Sequence, residues 1–286
     1  MRLASWIHRG REGFGQVVEG GVVDAVPRLD GRYPTLRAAL AASALGEVRR
    51  ATEGASADHG LEEITFLPPI PHPEKILCVG VNYVAHREET GRKESEFPTL
   101  FTRFANTQVG HDQPLVRPRV SSEFDYEAEL AVIIGKPARH VRREDALGVI
   151  AGYSCYQEAT LRDWQRHTSQ FTPGKNFIGT GGFGPWMVTS DEIPDPSRLS
   201  LVGRLNKVEM QRTSSDLMIF DIPTLIAYIT TFTELVPGDV ISTGTPGGVG
   251  SKRQPPVWLK AGDVFEVEIS GIGVLRNTVI DEPAAP

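Results

Sequence analysis

The sequence predicts a mainly β protein of the α+β class. Three observations carry that expectation. Short apolar runs of strand length recur along the chain, glycine and proline punctuate them, and few stretches keep a helical period for more than two or three turns. Strands and helices do not alternate regularly, which argues against a doubly wound sheet or a (β/α) barrel.

The chain has 286 residues, enough for one large domain or a medium domain with a small companion. A hydrophobic content of 40% and a charged content of 23% are ordinary for a globular enzyme. The net charge of −6 argues against a nucleic-acid partner, which selects a basic face. The two cysteines, Cys78 and Cys155, lie in apolar runs and read as buried free thiols. The opening MRLASWIHRGREGFG lacks the apolar core and cleavage pattern of a signal peptide. No run approaches the roughly 18 apolar residues of a membrane helix. The expectation is a soluble cytoplasmic protein with no membrane partner.

In chain order, residues 1–70 read as a small N-terminal domain. Strands over Arg2–His8, 14–18 and 22–26 are separated by glycines, a helix covers 35–44, and the polar segment 49–60 reads as a loop. FLPPIPHPEK is extended, because proline fixes its own φ and disfavours helix before it. It leads into a main domain over residues 71–286. There, 75–79 is a buried strand broken at Gly80, YVAHREETG a short helix stopped by Gly91, and TLFTRFANT a strand. LGVIAGYSCY is a further strand, and QEATLRDWQRH reads as a helix. SLVGRLNKVEMQ alternates as a hairpin with Asn206 and Lys207 at its tip. IPTLIAYITTF is a helix with Pro223 in its first turn, and the chain closes on strands within DVFEVEISGIGVLRNTVI.

Several constellations carry possible chemistry. In FDYEAELAVIIG, the acids Asp125, Glu127 and Glu129 stand at every second position, so a strand would point all three to one face. They face either solvent or a hard cation, whose preferred ligands are carboxylate oxygens. On the helix expected for QEATLRDWQ, Glu158, Arg162 and Gln165 fall at i, i+4 and i+7 and would share a face. His86 and Glu89, at i and i+3, can form an acid–imidazole pair, whereas Glu88 points elsewhere. Lys175 lies between Gly174 and Asn176, and STGTPGGVG offers the hydroxyls of Thr243 and Thr245 on a glycine-rich loop. That loop lacks the GK[ST] of a phosphate-binding loop.

Taken in order, VGVNYVAHREE, FDYEAELAVIIGK, GYSCYQEATLRDWQ, GKNF, GPWMVTSDEI and PGDVISTGTPGGVG resemble the fumarylacetoacetate hydrolase family over roughly residues 75–250. Residues 1–70 resemble, less specifically, the small N-terminal domain of its shorter bacterial members. The resemblance implies a mixed β-sandwich roll and a homodimer. It implies one divalent ion per chain, Mg²⁺ or Mn²⁺, held by Glu127, Glu129 and Glu158. Position 158 is Glu where Asp is usual, and Gln157 stands where Asn is usual. The added methylene shifts the carboxylate by roughly 1.5 Å, which bears on an ion that takes oxygens at about 2.0–2.1 Å.

The resemblance further implies a lid helix carrying His86 and Glu89, and Lys175 as the group that stabilises developing negative charge. It places Arg162, Gln165 and Thr245 around the substrate, with Arg103 as a further substrate-binding residue near a position that is often lysine. Val81 stands where several members place an arginine. The implied reaction is cleavage of the C3–C4 bond of an acylpyruvate-like 2,4-dioxo acid, with pyruvate leaving as its enolate. Decarboxylation of an oxaloacetate-like acid and isomerisation of a 2-hydroxymuconate-type diene are the alternatives on the same fold. A metal-poor binding protein is the non-enzymatic one.

Overall fold

The computed structural model describes residues 1–284. Its centre is an eleven-stranded mixed sheet. Across it, nine strands run in the order Gly21–Asp24, Arg11–Val18, Arg2–His8, Gly181–Thr189, Ile150–Gln157, Ala128–Ile134, Val240–Ser242, Ile76–Val79 and Leu100–Arg103. Thr65–Leu67 and Gln108–Val109 pair off this path. A second sheet orders Val208–Ser214, Ser200–Leu205, Val264–Ile269, Gly273–Asp281 and Leu115–Arg117. The architecture is the mainly β, α+β roll that the sequence predicts.

The strand Ala128–Ile134 shows how the layers form. It is buried on both faces. Leu130, Val132 and Ile134 point into one core with Phe265, Val267 and Leu275 of the second sheet. Ala131 and Ile133 point the other way, into a core with Leu36, Leu40 and Val48 of the N-terminal helices. Side chains alternate with period two, so Glu129 and Glu127 continue the Ala131–Ile133 row where the apolar core ends. The acids therefore emerge at the rim of the sheet, under the glycine-rich loop that follows Val240–Ser242.

The N-terminal strands do not form a sheet of their own. Arg2 and Leu3 pair with Val188 and Met187, which extends the central sheet. Met1, Leu3 and Phe14 share a core with Ile76, Cys78 and Ala131. Two expectations for this region change. The helix expected over 35–44 is shorter, Leu36–Ala41, capped by Thr35 whose Oγ1 accepts from Ala38 N at 3.1 Å. Residues 49–52 are not loop but the last turn of a second helix, Leu45–Thr52. That helix buries only Val48 and Thr52, so its composition hides its one-sided packing.

A third change touches the site. QEATLRDWQRH is not one helix. The strand Ile150–Gln157 runs to Gln157, Thr160–Leu161 pairs with Phe124–Asp125, and only Arg162–Gln165 is helical. Glu158 N donates to Glu127 O at 2.9 Å and Arg162 N to Glu123 O at 3.0 Å. Pairing with the acidic segment takes the backbone bonds that a helix would need, and overrides the local helical spacing.

The strand expected over 22–26 ends at Asp24, and that of TLFTRFANT covers only Leu100–Arg103; three other local readings hold. Asn206 and Lys207 turn the hairpin with φ of +50° and +69°. The helix Ile222–Phe232 carries Pro223 in its first turn. Both cysteines are free and buried. Among the described residues no helix is long and apolar enough to cross a membrane.

Candidate active site and metal centre

Glu127, Glu129 and Glu158 converge, with one carboxylate oxygen of each within 4.8 Å of the others. All three are at least 97% buried. Asp125 lies beside them and is fully buried as well. Four carboxylates in so little solvent require compensation. Part comes from Arg162, which donates from Nε to Asp125 at 2.7 Å and from a terminal nitrogen to Glu127 at 2.7 Å. Lys175 Nζ donates to Glu158 at 2.9 Å and also pairs with Glu127. Backbone supplies more: Asp125 accepts from Gly250 N at 2.7 Å and Ser251 N at 3.0 Å. Asp125, unassigned by the sequence, is thus the anchor of Arg162.

Two cations against four acids leave the cluster negative. Glu127 is settled: burial alone would raise its carboxyl, but Arg162 and then Lys175 outweigh that and hold it well below the usual range. Burial also disfavours the charged form of Lys175, and Glu127 and Glu158 outweigh it to raise the ammonium. Glu129 is not settled. Burial, then Glu158 and Glu127, push its carboxyl well up, although Ser242 Oγ at 2.5 Å and Gly244 N at 2.8 Å donate to it. Glu158 Oε1 is buried without a hydrogen-bond partner among the described residues. An orphaned oxygen, an over-acidic cluster and an all-oxygen donor set fit a hard divalent cation. Glu127, Glu129 and Glu158 are the residues that would hold it. The longer Glu158 side chain still reaches the cluster, although it sits in the turn between two strands and not on a helix.

His86 and Glu89 lie on the helix Val84–Thr90, which ends at Gly91 in the left-handed conformation, φ +67°. His86 Nδ1 is 2.6 Å from Glu89 Oε1, and Glu89 Oε2 accepts from Gly248 N at 2.9 Å. Glu89 thereby ties the imidazole to the glycine-rich loop. Gly248 has φ +100°, and a Cβ there would stand 2.3 Å from Met210 O, so this position requires glycine. Nδ1 is committed, which leaves Nε2 for the cavity.

That cavity encloses about 180 Å³ and is lined by His86, Glu127, Glu129, Glu158, Arg162, Gln165, Lys175 and Thr245 among others. Gln165 Oε1 accepts from Arg162 at 3.0 Å, and Thr245 Oγ1 donates to Ala128 O at 3.0 Å. Glu89 stands behind His86 and does not line the space. Val81 lines it, as an apolar wall.

Arg103 does not line the cavity, contrary to its expected place against substrate. It is 2% exposed and donates to Ala159 O at 3.0 Å, Thr180 Oγ1 at 2.9 Å and Thr107 Oγ1 at 3.3 Å. Its donors hold the turn that presents Glu158. The cavity also contains Arg92, Phe101, Phe171 and Ser251, none of which the motifs marked. Asn82, the residue after Val81, is fully buried and bonds Thr243 O at 2.7 Å and Phe220 at both its N and O. It fixes the chain just before the His86 helix.

Known proteins resemble this chain in sequence and fold. The chain is 41% identical to human oxaloacetate tautomerase FAHD2A, mitochondrial, over 220 residues, which are 76% of this chain and 70% of that one. A fumarylacetoacetate hydrolase from psychrophilic Exiguobacterium antarcticum superposes with a TM-score of 0.83 at 33% identity, covering 99% of this chain and all of that one. Maleylpyruvate hydrolase from Sphingobium sp. SYK-6, solved with manganese(II) and pyruvate, gives a TM-score of 0.83 at 28% identity over 99% of this chain and all of that one. The profile of the fumarylacetoacetate (FAA) hydrolase C-terminal region matches residues 75–280, which takes in the His86 helix, the acidic cluster, Lys175 and the glycine-rich loop. With the family profile and the relatives in agreement, the chain belongs to the fumarylacetoacetate hydrolase family.

Proposed function

We propose that the chain is a divalent-metal-dependent enzyme that hydrolyses the C3–C4 bond of an acylpyruvate-type 2,4-dioxo acid. The observation that supports this most is the His86–Glu89 pair, locked by Gly248 at one side of a cavity whose floor is three carboxylates and Lys175. A bound Mg²⁺ or Mn²⁺ would supply Lewis-acid polarisation of the 2-oxo acid.

The protein groups then have separable tasks. His86 Nε2 takes a proton from water as its oxygen attacks the C4 carbonyl, and Glu89 stabilises the imidazolium through Nδ1. The tetrahedral adduct collapses by breaking C3–C4, with the electron pair passing to the pyruvate enolate. Lys175, charged across the physiological range, offsets that developing charge. His86 returns its proton to C3, giving pyruvate and a carboxylic acid. Water is consumed once and no oxidant is needed.

A second reading is favoured by the 41% identity to an oxaloacetate tautomerase. There the same imidazole would move a proton between C3 and the 2-oxo oxygen, with no bond cleavage. Product analysis by NMR separates the two. Purified protein with Mg²⁺ or Mn²⁺ is given acetopyruvate, maleylpyruvate, which carries a distal carboxylate, or oxaloacetate freshly dissolved as its enol. Release of pyruvate from either 2,4-dioxo acid supports the hydrolase. Both left intact, with accelerated ketonisation of oxaloacetate, would replace it with the tautomerase.

A further inference from the structure

We propose that Arg92 binds a distal carboxylate, so that the chain selects 2-oxo dicarboxylates over 2-oxo acids with neutral tails. The inference rests on the reading above, that the inner end of the cavity takes a 2-oxo acid.

The buried cations of the cavity are already committed. Arg162 is spent on Asp125, Glu127 and Gln165, and Lys175 on Glu127 and Glu158. At the exposed mouth, where Arg92 itself stands, Arg166 pairs with Glu123, and Lys252 also lines the cavity without an ion pair among the described residues. Arg92 lines the same cavity yet has no hydrogen-bond or ion-pair partner for its side chain among the described residues. Its neighbour Arg87 turns away to Glu94, at 3.6 Å. What holds Arg92 is a ring: its Cζ stands 4.7 Å from the centroid of Phe171.

Phe171 belongs to a continuous row. It meets Phe101 edge to face at 5.6 Å and 74°, and Phe101 carries Lys175 Nζ at 5.0 Å from its centroid. The cavity wall is thus two aromatic rings with a cation at each end. A substrate along this wall would place its 2-oxo-acid head by Lys175 and its tail by Arg92. A guanidinium seated on a ring face keeps its edge donors free, and those donors match a carboxylate in bidentate geometry. Burial, then Arg162, lowers the pKa of Arg92, and Glu127 opposes them. Arg92 lines the same cavity as Arg162 and Glu127. An anionic tail would relieve its repulsion with Arg162.

Calorimetry with the Mn²⁺-loaded protein tests this with 2-oxoglutarate and 2-oxopentanoate, which share a head and differ in the distal carboxylate. Losing a charge-assisted bond pair predicts that Arg92→Ala weakens 2-oxoglutarate by about 10- to 100-fold and leaves 2-oxopentanoate within about twofold. Retained 2-oxopentanoate binding also shows that the variant is folded. Arg92→Lys, a point charge without the fork, should recover part of the loss. Equal effects on both ligands, or none on either, would overturn the assignment of Arg92 and leave the proposed chemistry standing. If the parent binds neither ligand, the 2-oxo-acid reading and this subsite fall together.

Discussion

Arg162 and Asp125 are joined at 2.7 Å inside the protein, and the other end of the same guanidinium holds Glu127. Asp125 also accepts from Gly250 N and Ser251 N, so one carboxylate ties the cavity's arginine to the loop 249–253. Breaking a buried pair by removing one partner costs about 3–5 kcal/mol, because the other charge stays behind. Asp125→Ala should therefore lose stability of that order in denaturant unfolding. A loss under about 1 kcal/mol, the scale of an exposed pair, would show that the contact fixes nothing.

Glu158→Gln keeps the shape of the site and removes one charge. Changing outer partners of metal ligands costs about 10–100-fold in affinity, so loss of a ligand charge should exceed that range. Mn²⁺ binding followed by electron paramagnetic resonance measures it. Undiminished affinity in this variant would remove Glu158 from the metal set.

His86→Gln should lose turnover by about 10²–10⁴-fold, the usual contribution of a general base. Mn²⁺ affinity and melting temperature should stay at parent values, since His86 makes its one side-chain bond to Glu89. Steady-state rates and a binding titration on the same preparation decide it.

Arg103→Met removes the donors that hold Ala159 O and Thr180. If Arg103 acts by placing Glu158, metal affinity falls by about 10–100-fold while KM at saturating metal is unchanged. A raised KM with parent metal affinity would return Arg103 to the substrate.

Asp221 caps the helix Ile222–Phe232, its Oδ1 accepting from Thr224 N at 2.9 Å, and it pairs with Arg143. Burial would raise its pKa, but the bonds to Thr224 and then Arg143 prevail and lower it. A lowered folded pKa means stability that is present above the ordinary aspartate value of 3.8 and lost as pH falls through the lower folded value. Asp221→Ala should cost about 1 kcal/mol near neutral pH. The gap from the parent should close in melts taken in strong acid, and a gap independent of pH would assign the cost to packing alone.

The sequence located what is locally periodic. The i, i+3 spacing gave the His86–Glu89 contact, and alternation gave the common face of Glu127 and Glu129. Gly91 stopped its helix because a left-handed residue is a local requirement. What failed depended on distant pairing. The segment 157–162 follows its backbone partners at 123–127 and abandons the helical spacing that had seemed to align Glu158, Arg162 and Gln165. Arg103 kept a family position but spends its donors on carbonyl and hydroxyl groups up to 77 residues away. Arg92 carried no motif, because its ring partner Phe171 comes from a loop that no local pattern brings near.

The pairing of Arg2 and Leu3 with Val188 and Met187 also bears on what closes this part of the central sheet. Without residues 1–70, that stretch of Gly181–Thr189 would present open backbone groups, and the face holding Cys78, Ala131 and Ile133 would lose its cover. A chain starting at residue 71 would be an invitation to strand-by-strand association. The first seventy residues do for this sheet edge what a second polypeptide would otherwise have to do: they are a tethered partner, supplied at an effective concentration no free subunit can match.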